Sequence, residues 1–138
     1  MNGYENEVVR ELRRDPRQRL SGIASKLGMS RQTAMRALKR AEAKMLKYTT
    51  LPDFKALGFE VHALMLFHPK SRRLLSFLKK SRNTNSLAVS SGRFAVMATA
   101  IFRNMGAYYE FEEQAARLCS SKRTHFIVEE VKQEDAGC

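Results

Sequence analysis

The stretch QRLSGIASKLGMSRQTAMRALKRAEAKMLK, residues 18–47, reads as two short helices joined by a tight glycine-containing turn, and everything else in the chain is organised around it. Ser21 stands where a hydroxyl can cap the first helix. Ile23, Ala24 and Leu27 give that helix an apolar face, and Gly28 falls where a helix end needs a left-handed residue. After Met29, Ser30 is placed to cap the second helix by accepting from its free amide groups. Ala34, Leu38, Ala41 and Met45, at offsets 0, 4, 7 and 11, make a single apolar stripe at helical period. The opposite face carries Gln32, Arg36, Lys39 and Ala43, with Arg31 and Arg40 on its flanks. The small residues Ala34 and Ala41 let this helix sit close to whatever it packs on.

A helix-turn-helix of this kind offers an amide and guanidinium groups outward. Those side chains read adenine and guanine edges in a major groove, while flanking cations hold phosphates. Arg31, Gln32 and Arg36 are the candidate base or groove-edge contacts, with Lys39 and Arg40 beside them. Ser30 and Thr33 are candidate phosphate donors, because a helix N-terminus favours anions. Arg17, Arg19 and Lys26 are positioned to grip the backbone beside the turn. The plainer alternative is a solvated basic face with no ligand. The coincidence of cap, turn and stripe argues against it.

Charge agrees with this reading. The 138 residues carry a formal net charge of +11, which favours a polyanionic partner. From Arg10 to Lys47 twelve Lys or Arg residues face only Glu11, Asp15 and Glu42, whereas residues 59–138 hold twelve basic and eight acidic side chains. Positive charge is thus concentrated on the helix-turn-helix, as phosphate neutralisation requires. A membrane surface is the competing anion, but no helix pairs a broad bulky apolar face with a basic one. No run approaches the roughly 20 apolar residues of a membrane span, and MNGYENEVVR is no signal peptide. Cys119, inside an expected helix, and Cys138, at the last position, form no C-x-x-C pair. They give neither a zinc site nor a disulfide framework, and a reducing cytoplasm suits them.

Upstream, a helix is expected from about Glu5 to Arg14 with Val8, Val9 and Leu12 inward, ended by Asp15-Pro16. It completes a tri-helical head. Downstream comes YTTLPDFKALGF, residues 48–59, where Tyr48 to Leu51 have strand composition, Pro52-Asp53 reads as a turn and Gly58 breaks a short helix. The rest alternates. VHALMLFH (61–68) reads as a strand, and Pro69 and Ser71 open a helix through Leu74, Leu75, Phe77 and Leu78. LAVSS (87–91) and RFAVMATAIF (93–102) read as strands meeting at Gly92 in a short hairpin. Asn104 caps a helix through Tyr108, Phe111, Ala115 and Leu118, and HFIVEEV (125–131) closes as a strand. The order β-α-β-β-α-β is the ferredoxin-like arrangement, an α+β fold with four antiparallel strands and two helices on one face. The expected domains are a helix-turn-helix head over residues 1–47, a linker strand and turn over 48–59, and a dimerisation and effector domain over 60–138. The second sheet face keeps Ala, Val, Met and Phe positions, which implies another sheet stacked on it and hence a dimer.

Other chemistry finds little footing. His62 and His68 share parity on the first tail strand and His125 opens the last, so His68 and His125 are expected to approach. No further ligand completes a metal site. Tyr108, Tyr109 and Phe111 at helical spacing read as core and interface. The chain holds no H-E-x-x-H, no G-x-S-x-G and no phosphate-binding glycine loop, so an enzyme and a cofactor are not expected.

Head, linker and tail together resemble the Lrp/AsnC (feast/famine) family of prokaryotic transcription regulators over about residues 5–132. The motifs that carry the likeness are Ala24-Ser25-Lys26-Leu27-Gly28-Met29-Ser30, Arg36-Ala37-Leu38-Lys39-Arg40-Ala41-Glu42, Leu57-Gly58-Phe59 before the first tail strand, and the Gly92 hairpin. The resemblance implies a sequence-specific regulator of double-stranded DNA. It further implies a homodimer of stacked tail sheets, with assembly to tetramers or octamers, linker strands paired across the dimer, and heads on successive major grooves at the nucleoid. It also implies a small-molecule effector, often an amino acid, bound near the hairpin, here Ser90, Ser91, Gly92, Arg93 and Phe94. Where the family often has acidic residues after the hairpin glycine, this chain has Arg93 and Ala95. A non-specific architectural DNA-compacting protein is the alternative. The sirohaem decarboxylases share the architecture but have little use for so basic a head. An RNA-binding module fits less well, since a helix-turn-helix suits groove insertion rather than base stacking.

Overall fold

A computed structural model describes residues 3–134. The chain divides into two compact units, Met1–Leu51 with Lys132–Cys138, and Pro52–Val131. Cys138 lies outside the described residues.

The first unit is built on three helices, α1 (Gly3–Arg14), α2 (Leu20–Lys26) and α3 (Arg31–Glu42). Their core is small. Val8, Ile23 and Ala37 are buried, with Leu12, Leu27 and Leu38 packed around them. Buried carboxylates supplement it. Glu11 of α1 accepts from Arg14 at 3.1 Å and from Gln18 Nε2 at 3.4 Å, and pairs with Lys26 at 3.5 Å, tying α1 to the turn and to α2. Glu5 pairs with Lys44, just beyond α3. After the tail, Arg13 donates to the Glu134 carbonyl.

Lys44 Nζ bound to Glu5 holds that carboxyl below its ordinary pKa, against the opposing effect of burial, with further help from the charges of Lys44 and Arg40. A depressed folded-state pKa gives stability that is complete above the unfolded-state pKa and is lost as pH falls through the folded one. Thermal stability of the head should therefore fall progressively below the usual carboxylate range, and Glu5→Gln should flatten that profile. Superimposable acid profiles for the two proteins would show that the pair does not couple to folding.

The second unit is a single antiparallel sheet in the order β2-β3-β1-β4, with two helices on one face. Its elements are β1 (Val61–Pro69), α4 (Arg73–Lys80), β2 (Thr84–Val89), β3 (Val96–Phe102), α5 (Met105–Ala116) and β4 (Cys119–Phe126). The ferredoxin-like expectation holds. Alternation sets the layers: Val61, Ala63, Met65 and Phe67 of β1 lie opposite Phe102, Ala100, Ala98 and Val96 of β3, and all are buried beneath the helices. Leu74 and Leu78 of α4, and Tyr108, Phe111 and Ala115 of α5, close this core. Phe102 sits at its centre, edge-on to Tyr108 at 5.5 Å and to Phe111 at 5.2 Å.

Several expectations are corrected. Ser21 does not cap α2. Arg19 is the N-cap, no side chain caps that end, and Ser21 lies inside the helix. Within the single chain residues 48–51 lie in no strand, because among the described residues no strand runs alongside to complete a ladder; Tyr48 donates to Glu42 Oε1 at 2.6 Å. The last strand is CSSKRTHF rather than HFIVEEV, and Cys119 opens that strand instead of lying in a helix. Register explains the shift. Phe126 pairs with Ala63 near the start of β1, so residues beyond Ile127 run past the end of the strand they would need. Likewise β2 begins at polar Thr84 and ends at Val89, leaving a wider hairpin over residues 90–95 than the Gly92 turn suggested. Finally, His125 pairs with Leu64 and His68 with Ser121, so the two histidines lie at different levels of the sheet. Among the described residues no three His, Cys, Asp or Glu side chains group to hold a metal.

The sheet's other face carries Leu64, Leu66 and Met97, half-buried, with Ser86, Thr99, Arg123 and His125 around them. The expected Val and Phe side chains turn to the helix side. Among the described residues no helix is long and apolar enough to cross a membrane.

Candidate nucleic-acid interface

The turn between α2 and α3 is built as its residues require. Gly28 adopts φ +63°, a left-handed geometry that costs a side-chain-bearing residue but not glycine. Met29 then donates back to the Ala24 carbonyl at 3.0 Å. Ser30 caps α3, its Oγ accepting from the Thr33 amide at 3.1 Å and lying 2.8 Å from Thr33 Oγ1. Both hydroxyls are thereby engaged in the cap, which fixes the first turn of α3 and the direction of its free amides.

The seat of α3 is alanine-lined. Ala34, Ala37 and Ala41 are buried, Ala37 adding to the pair read from the stripe, while Leu38 is half-buried and Met45 lies beyond the helix end. Such small residues bring the helix axis close to α1 and α2 and leave the rest of its circumference outside. Arg31, Gln32, Arg36, Lys39 and Arg40 are all exposed. Gln32, Arg36 and Lys39 occupy the arc furthest from the buried alanines. The polar and cationic face expected of α3 is thus presented outward in this unit.

The structure separates other candidates. Arg19 is exposed at the start of α2. Lys26 donates to Gln18 Oε1 at 2.7 Å and pairs with Glu11 at 3.5 Å, its side chain remaining 56% exposed. Arg36 and Arg40 flank an open groove of about 260 Å³ whose other walls are Tyr4, Glu5, Thr33 and Ala37. Glu5 and Tyr4 were not among the residues singled out from the sequence. The available signal was Glu5 one helical turn before Val8, on the face that α1 buries. Met35, 42% exposed beside Gln32 and Lys39, was also missed, because its apolar side chain did not fit the polar-face pattern.

In the second unit the expected effector residues line the β2–β3 loop. Ser90 closes it, its amide donating to the Ala95 carbonyl at 2.7 Å and its hydroxyl to the Phe94 carbonyl at 2.9 Å. Gly92 has φ +95°, as the turn requires. Ser91 and Arg93 are exposed, and the Arg123 guanidinium lies 5.2 Å from the centre of the half-buried Phe94 ring.

Comparisons with known proteins follow the same division. A family model described as winged helix-turn-helix DNA-binding matches residues 1–44. A comparison by sequence with curated proteins gives no match. Among solved structures, LrpC of B. subtilis superposes with a TM-score of 0.89 at 19% identity, over 97% of this chain and 99% of that one. AsnC of E. coli gives 0.86 at 14% identity, over 100% and 99%. A transcriptional regulator of Neisseria meningitidis, solved as its L-Met complex, gives 0.84 at 15% identity over 96% and 93%. The head therefore matches a winged helix-turn-helix DNA-binding model, and the chain shares the fold of LrpC and AsnC over nearly its whole length.

Proposed function

We propose that this protein is a sequence-specific, double-stranded DNA-binding transcription regulator of the Lrp/AsnC family and not an enzyme. It works as a homodimer or higher oligomer in the cytoplasm, on the nucleoid. The observation that carries this reading is the capped α3 helix, seated on three buried alanines with Gln32, Arg36 and Lys39 turned outward. An exposed amide and guanidinium on one helical arc supply the bidentate donors that distinguish bases in a major groove. Lys39, Arg40, Arg31 and Arg19 supply phosphate contacts around them, and Ser30 and Thr33 orient the amides at the helix start. Lys26, exposed while tied to Glu11 and Gln18, is a further backbone contact beside the turn.

Leu64, Leu66 and Met97 on the uncovered sheet face support dimerisation by sheet stacking, which removes that apolar surface from water. The strand composition of residues 48–51 finds its use there, completing a ladder with the partner's copy. A small molecule sensed at the Ser90–Phe94 loop meets Arg93 and Arg123 rather than carboxylates, so the effector that suits this loop carries an acidic group. The bound L-Met of the Neisseria regulator supports ligand sensing on this fold.

Selection of fragments from random duplex DNA by the purified protein tests the reading. The expected result is a palindromic site whose half-site spacing reflects a dimer, bound roughly 10³-fold or more tighter than random DNA at physiological salt. Uniform recovery of all sequences with a steep salt dependence would make the protein an architectural DNA binder instead.

A further inference from the structure

Between Glu60 and Glu110 the chain contains no Asp or Glu, yet that span holds eight Lys or Arg residues. Six of them, Lys70, Arg72, Arg73, Lys79, Lys80 and Arg82, lie on or beside α4, and all six are exposed. The modest net charge of the tail conceals this, because its acidic residues gather on α5 and after β4. Arg103, by contrast, is occupied: it donates to the Leu57 carbonyl and stacks over Phe59. The tail carboxylates that form ion pairs take other partners, Glu112 with Lys122, Glu113 with Arg117 and Glu130 with His62.

The geometry of α4 turns these cations one way. Leu74 and Leu78 are fully buried and Leu75 and Phe77 partly so. Arg72, Arg73, Lys79 and Lys80 therefore share the outer arc around exposed Ser76, with Lys70 and Arg82 at the two ends. Placing Arg72 and Arg73 here opposes helix stability. The positive end of the helix dipole meets two more positive charges, the first turn has no acidic residue, and the N-cap Arg72 offers no side-chain acceptor, Ser71 Oγ alone accepting from the Arg73 amide at 3.3 Å. A bound polyanion reverses that cost. Sites where local rules are broken without internal compensation are where function is to be sought.

We infer that the outer face of α4 is a second nucleic-acid surface, which grips the phosphate backbone of duplex DNA without reading its sequence. Eight helical residues span about 12 Å, and a duplex presents one negative charge per about 1.7 Å of its axis. A row of four to six cations over that length is matched by such charge density. No large apolar side chain accompanies the cations on the outer arc, so a bilayer would gain nothing by insertion. The head's DNA-binding character favours DNA over other polyanions as the occupant. This surface goes beyond the proposed regulator function, in which the tail joins the two heads and only the heads touch DNA.

The test uses the full chain carrying Arg72→Gln, Arg73→Gln, Lys79→Gln and Lys80→Gln together, and separately Ser76→Glu, which puts a carboxylate amid the cations. Binding to random-sequence duplexes of about 80 base pairs is measured across salt concentrations. Each cation that reaches a phosphate contributes about 0.9 to the slope of log affinity against log salt. The fourfold variant should thus bind with a slope shallower by about 2–4, and with affinity at least about tenfold lower near 0.1 M salt. Ser76→Glu should lose affinity in the same direction. Thermal stability of the fourfold variant should stay close to that of the parent, since relief at the start of the helix offsets the loss of Lys79 and Lys80 from its negative end. Wild-type slopes in both variants would overturn the inference. So would a defect seen on phosphatidylserine vesicles but not on DNA. An Arg36→Ala and Lys39→Ala double variant, run alongside, reports on the head. Loss there with no loss on α4 sinks only this inference, and loss on α4 with none in the head sinks only the proposed mode of recognition.

Discussion

Arg36→Ala should lower affinity for the selected operator by about 1–3 kcal/mol per recognition helix, roughly 5- to 150-fold, and relax the preference at one base pair of each half-site. The side chain is exposed on the outer arc of α3, beside the groove wall of Tyr4 and Glu5. Nothing in the head's core rests on it, so the variant should fold as the parent does. The companion change Lys39→Ala should weaken all sequences alike and reduce the salt slope by about 1, as expected of a phosphate contact. Competition binding with operator, single-base variants and random duplex separates the two. Equal losses on operator and random DNA for Arg36→Ala would make that residue a phosphate clamp.

Phe102→Ala should destabilise the second unit by about 3–5 kcal/mol, a large part of the stability of a domain this size. The ring is fully buried, and it makes edge-on contacts with both Tyr108 and Phe111. Removing it takes away burial, two aromatic contacts and the centre of a close-packed layer at once. The loss is measured by urea denaturation at fixed protein concentration, because a dimer's stability depends on that concentration. A change below about 1 kcal/mol would show that the helix layer repacks freely over the sheet, which this density of contacts does not permit. If sheet stacking builds the dimer, the same substitution should also abolish operator binding, since heads without a common tail lose their fixed spacing.

Much of the head was legible in the sequence because its signals are local. Gly28 is required by a backbone angle, Ser30 by free amides one turn away, and the outward Gln32, Arg36 and Lys39 by the helical period. The missed features there are long-range. The pairing of Glu5 with Lys44 and the capture of Lys26 by Glu11 and Gln18 join elements that periodicity treats separately. No spacing rule announces that a glutamate will be buried because a lysine from another helix reaches it.

In the tail, the sequence by itself determined the central pair. VHALMLFH and the AVMATAIF part of the other central strand are apolar enough on alternate residues to be strands in any register, and they became most of β1 and all of β3. Only the tertiary structure decided the edges. Polar TNS and CSSKRTH pair as strands because β3 and β1 offer them unfilled backbone groups, whereas apolar IVEEV has no ladder left to join. An edge strand needs only one partner and one buried face, so its side chains carry little record of it, while its hydrogen bonds depend wholly on where its neighbour begins and ends.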